Sequence, residues 1–115
     1  MNDKFILINK ERQFYTYLDK FFFSSFPKNE WVLKDRVYKD LFNLIENTIA
    51  FNMTKGNIKA KHLTNCKINI SMIDFIINTI LEKELVKKRR VLSAINKLNE
   101  IKKIIFSLEL NEAKE

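Results

Sequence analysis

Residues 91–108 read VLSAINKLNEIKKIIFSL, and the spacing of their apolar side chains decides the fold class. Val91, Ala94, Ile95, Leu98, Ile101, Ile105 and Leu108 recur at steps of three and four, which puts them on one face of an α-helix. A strand would alternate at every second residue. A helix is therefore predicted over about 87–110. The same period extends toward the N-terminus. A third helix over about 58–83 carries Leu63, Cys66, Ile70, Ile73, Ile77 and Ile80 on its stripe. A second over about 29–54 carries Leu33, Val37, Leu41, Leu44, Ile45 and Thr48, with Asp35, Arg36, Lys39, Asp40 and Glu46 largely opposite. A first over about 9–25 carries Phe14, Tyr17, Leu18, Phe21 and Phe22. Asn9 would cap it, or Asp3 if Phe5 to Ile8 extend the helix.

Turn chemistry is nearly absent, with one Gly and one Pro in 115 residues. An all-β fold needs turn residues every 8–12 positions or so, and is excluded. Pro27 disfavours helical geometry at the residue before it, so Ser24-Ser25-Phe26-Pro27 ends the first helix. Gly56, in Lys55-Gly56-Asn57, suits a left-handed C-cap closing the second. Short connections between long helices favour antiparallel neighbours. The expected architecture is an all-α, up-down-up-down four-helix bundle, a single domain over residues 1–115.

One cysteine and one histidine leave no disulfide framework, and a reducing, cytoplasmic setting is expected. Phe5-Ile6-Leu7-Ile8 is too short for a signal segment, and no apolar run is long enough to span a membrane. Phosphate loops, dinucleotide turns and paired-cysteine metal motifs are absent. His62 and Cys66 share a helical face, but two ligands fall short of the four of a structural zinc site. As nucleophile and base they have no evident orienting third group. Buried or boundary packing is the expected role of both. Asp35 and Asp40, and Glu82 and Glu84, read as solvated faces, with helical pairs such as Asp35–Lys39. The expectation is a binding protein with no catalytic residue, cofactor or metal.

The formal charge of +7 points to an anionic partner such as RNA or DNA, held through phosphates. A composition rich in Lys, Asn, Ile and Phe, as AT-rich coding produces, gives the same charge without a ligand. Lys83 and the run Lys87-Lys88-Arg89-Arg90 gather at the third junction, and Lys97, Lys102 and Lys103 follow. Lys55, Lys59, Lys61 and Lys67 crowd the start of the third helix. Cations at a helix N-terminus oppose its macrodipole, a local rule broken in a way that hints at function. Phe75 and Ile76, and Ile104 and Phe106, widen two apolar faces beyond what one core needs, which suggests a self-association seam.

Phe26-Pro27-Lys28-Asn29-Glu30, met after one helix and opening the next, resembles the FPKxE element of a four-helix-bundle family. That family includes the accessory variability determinant proteins of diversity-generating retroelements and proteins encoded in ribosomal RNA intervening sequences. Leu33 to Val37 with Arg36, Thr54-Lys55, Leu85-Val86 and Leu98-Asn99-Glu100-Ile101 match in order and cover about residues 14–108. The resemblance implies a homopentameric barrel with a basic surface, non-catalytic, binding a partner reverse transcriptase and nucleic acid. Arg36, Lys39, Lys83, Lys87, Lys88, Arg89, Arg90, Lys102 and Lys103 would supply the contacts. The chain departs from the family pattern at Trp31-Val32, Asn78 and Lys102. The alternative is a stand-alone intervening-sequence-type protein acting as a protein–protein adaptor.

Overall fold

Each apolar stripe of the sequence becomes a helix. The computed structural model describes residues 3–113, and the side chains of residues 5–112. The four long helices are α1 (Asp3–Tyr17), α2 (Trp31–Met53), α3 (Gly56–Glu82) and α4 (Lys88–Ala113). A π-helical turn, Leu18–Phe22, continues α1, and a 3-10 turn, Lys28–Glu30, leads into α2. The described residues contain no strand. Contacts join α2 to α1 and α3, and α4 to α3 and α1, so every helix touches two others. The long dimension of 45 Å matches α3, whose 27 residues span about 40 Å at 1.5 Å per residue.

All six stripe positions of α3 are buried, as are Val91, Ala94, Leu98, Ile101, Ile105 and Leu108 of α4. Val37, Leu41, Leu44 and Thr48 of α2 are buried as well. No described helix is long and apolar enough to cross a membrane.

One local reading is settled and three are corrected. First, of the two starts read for α1 the longer holds: Phe5 to Ile8 extend the helix back to Asp3, and Leu7 enters the core. Second, the helical period puts Phe21 on the buried stripe, yet it is 53% exposed while Phe23 is 4% exposed. The π turn is the cause. The Phe23 amide bonds the Leu18 carbonyl at 2.9 Å, five residues back, and this wider turn advances the inward face by one position. The buried set becomes Phe14, Leu18, Phe22 and Phe23. Third, Asp40 lies inward, 3% exposed. The helical ion pair joins it to Arg36, Nε to Oδ2 at 3.0 Å, and no pair forms between Asp35 and Lys39. Fourth, Gly56 is left-handed (φ 65°) but opens α3. The connection itself is the extended pair Thr54 (ψ 170°) and Lys55 (ψ 161°).

A second left-handed residue, Glu84 (φ 54°), closes α3. The Leu85 amide reaches the Ile80 carbonyl at 3.2 Å and the Glu84 amide the Leu81 carbonyl at 3.1 Å, a complete Schellman cap. Glycine is the residue that tolerates this geometry. Glu84→Gly should therefore raise stability by roughly 0.5–1 kcal/mol, and Gly56→Ala should lower it by a similar amount. Urea midpoints of the two variants check both signs. The loss at Gly56 is purely conformational, since nothing lies within 4 Å of an added Cβ.

Candidate nucleic-acid interface

Chain segments far apart in sequence meet around the start of α4. The Tyr17 hydroxyl donates to the Arg90 carbonyl at 2.9 Å. The Arg90 guanidinium returns a bond, Nη1 to the Phe21 carbonyl at 3.2 Å. Between the end of α3 and the entry to α2, the Lys83 ammonium pairs with the Glu30 carboxylate. The turn from α3 to α4 brings Lys87 and Lys88 into the lining of a depression with Leu81, Glu84, Leu85 and Val86, where Glu84 forms no ion pair with either lysine.

The nine candidate cations divide by what they touch. Arg36, Lys83 and Lys102 are bound within the molecule, to Asp40 at 3.0 Å, to Glu30 and to Asp74 at 3.3 Å. Each such pair cancels a charge that phosphate would need. Arg90 is engaged with a neutral carbonyl, which leaves its charge uncompensated. Among the described residues Lys39, Lys87, Lys88, Arg89 and Lys103 are exposed and have no ion-pair partner. Lys103, with Lys97, adds to the field that holds the Glu100 carboxyl below its ordinary range. The main cause there is the hydrogen bond and charge of Lys10, 2.9 Å away.

Lys87 to Arg90 thus form a dense patch of uncompensated charge. No acidic residue occupies the first turn of α4 to relieve it, and the dipole of the helix opposes it by about 0.3–1 kcal/mol per cation. Lysines near the start of α3 are partly neutralised instead. Lys59 pairs with Glu112 at 3.0 Å and lies over the Phe51 ring at 4.8 Å, and Lys67 pairs with Glu109.

The seam residues also divide. Phe75 is 68% and Phe106 58% exposed. Ile104 is half-buried against the core, and Ile76, at 4% exposure, belongs to the core itself. The apolar face of α3 therefore reaches outward through Ile68 and Phe75, seven residues apart, not through Ile76. Between α3 and α4 a groove is lined by Lys67, Ser71, Lys102 and Phe106. Sequence reasoning missed a further stripe on α2, where Phe42, Ile49 and Met53 are all exposed. Their steps of seven and four mark one helical face and were legible.

His62 and Cys66 belong to different networks. His62 Nδ1 lies 3.1 Å from Asn47 Oδ1, and Asn47 in turn donates to Asn69 Oδ1 at 3.1 Å. Cys66 is buried, 3.7 Å from the Thr48 hydroxyl, and burial pushes its thiol up to about 11. Thr48 Oγ1 is also 2.7 Å from Glu11 Oε2 and 2.9 Å from the Leu44 carbonyl. Glu11 is fully buried, and burial raises its carboxyl to about 8 against the lowering effect of Thr48. A hydroxyl has one proton to give, so the neutral acid fits best. Glu11 then donates to Thr48, and Thr48 to Leu44. No three described His, Cys, Asp or Glu side chains are grouped to hold a metal.

Comparison with protein-family models, with curated proteins and with solved structures gives no match to this chain.

Proposed function

We propose that the protein is a non-catalytic, basic scaffold that binds nucleic acid through phosphates, serving a diversity-generating retroelement beside its reverse transcriptase. The observation that supports the nucleic-acid part is the patch of uncompensated charge at Lys87, Lys88, Arg89 and Arg90. It is set against the internal neutralisation of Arg36, Lys83 and Lys102. The retroelement part rests on the order of short motifs beginning at Phe26-Pro27-Lys28-Asn29-Glu30. The geometry of that segment is in keeping with a corner before a long helix. Phe26 meets Phe23 edge-on at 4.9 Å, and the Glu30 amide bonds the Pro27 carbonyl at 3.1 Å.

The proposed architecture is an antiparallel up-down-up-down bundle assembled as a homopentamer. Cross-helix pairs support opposed directions. Lys67 meets Glu109 and Asp74 meets Lys102, so one chain segment advances by seven residues as the other retreats by seven. Phe75 and Phe106 would lie in the seam, where burial removes apolar surface from water. Light scattering on a size-exclusion column tests the assembly. A mass near five times 13.8 kDa is expected, and a clean monomer or dimer would remove the pentamer.

The exposed stripe Phe42, Ile49 and Met53 favours a second reading, an adaptor of the intervening-sequence type that docks proteins. Binding that survives high salt would support it, because phosphate contacts weaken steeply as salt rises.

A further inference from the structure

Phe21 stands out against the charge around it. The π turn places it outside the core, 53% exposed, yet its position is fixed from several sides. Its ring rests against Tyr17, centroids 5.8 Å apart and planes tilted by 35°. Tyr17 is itself anchored to the Arg90 carbonyl at 2.9 Å, and Lys97 lies over its ring at 4.4 Å. The Phe21 carbonyl takes a hydrogen bond from the Arg90 guanidinium at 3.2 Å, and exposed Lys20 is its chain neighbour. An accessible aromatic ring is therefore built into the edge of the patch that begins at Lys87.

Phosphate binding alone gives no use for such a ring. In a duplex the bases are already stacked on one another and cannot reach it. An unpaired base offers a free π-face, and an aromatic side chain beside cations that follow the backbone is the arrangement that holds single strands. Charge complementarity with the neighbouring run selects an anionic strand over an apolar protein segment.

We infer that this interface takes single-stranded nucleic acid, with one unpaired base stacked on Phe21 and the flanking phosphates held by Lys20, Arg90 and the cations of residues 87–89. The inference rests on the nucleic-acid reading above and narrows it to a substrate class.

The test uses the full chain, an unstructured labelled RNA and a duplex RNA of the same length at moderate salt, with wild type, Phe21→Ala and Phe21→Trp. Phe21 lies outside the core, so both variants should fold, which circular dichroism checks. The expected result is tighter binding of the single strand by wild type. Phe21→Ala should lose about tenfold or more on the single strand and nothing on the duplex, and Phe21→Trp should keep the preference. Equal binding of both RNAs with Phe21→Ala silent would overturn stacking and leave phosphate binding standing. An equal loss on both RNAs would also overturn it, marking Phe21 as a structural support. If neither RNA binds even at low salt, the nucleic-acid reading fails and this inference with it.

Discussion

Between about pH 5 and pH 8 the folded protein should lose about 3 kcal/mol of stability or more, and Glu11→Gln should abolish that loss. The carboxyl stands at about 8 in the folded chain against an ordinary value of 4.5. Below pH 4.5 both the folded and unfolded chains hold the proton, and its burial carries no ionisation penalty. As pH rises the unfolded chain releases the proton first. The folded state then binds more protons, and stability falls by about 1.4 kcal/mol per pH unit until the folded carboxyl also ionises near 8. No described cation forms an ion pair with Glu11 to offset this. Glutamine keeps the shape and can donate to Thr48, whose hydroxyl still serves Leu44.

Urea denaturation at pH 5, 6.5 and 8 checks the claim. Wild type should lose midpoint steadily while Glu11→Gln stays level and exceeds it at the alkaline end. Parallel curves for the two proteins would mean that Glu11 is not buried as a neutral acid. The Lys10–Glu100 pair acts in the opposite sense and at lower pH. The lowered Glu100 carboxyl favours the folded state above its ordinary range, and that contribution fades as acid protonates it. Stability should therefore peak near the ordinary carboxylate range.

Most of this fold was legible because each stripe keeps a helical period. The six α3 stripe residues follow from spacing alone, and all six are buried. The failures share a cause, which is that period assumes regular turns and assigns polar residues outward. One widened turn at Leu18–Phe22 moved Phe21 out and Phe23 in. Glu11 and Asp40 sit on inward positions, where Thr48 meets one oxygen of Glu11 and leaves Oε1 without a partner, and Arg36 pairs with Asp40. No count of charges along the chain supplies those partners. The candidate interface was legible as a list of cations, but not as a division between free and neutralised ones. That division depends on Glu30, Asp40 and Asp74, whose reach is set by packing.

The claim that carries the most weight is that the free cations at the start of α4 hold nucleic acid. Reversing Lys87, Lys88, Arg89 and Arg90 to glutamate replaces four potential phosphate contacts with repulsion. Glutamates at a helix N-terminus suit its dipole, which offsets the lost bond from Arg90 to the Phe21 carbonyl, so the fold should hold. Each phosphate contact to a single strand contributes about 0.7 to the slope of log affinity against log salt, so four account for about 3. The direct measurement is the affinity of wild type and the reversed protein for one labelled RNA across a salt series. A loss on the order of a hundredfold at moderate salt, with the slope flattened by about 3, is the expected result. Unchanged affinity and an unchanged slope would contradict the claim and place the nucleic-acid site elsewhere or nowhere on this chain.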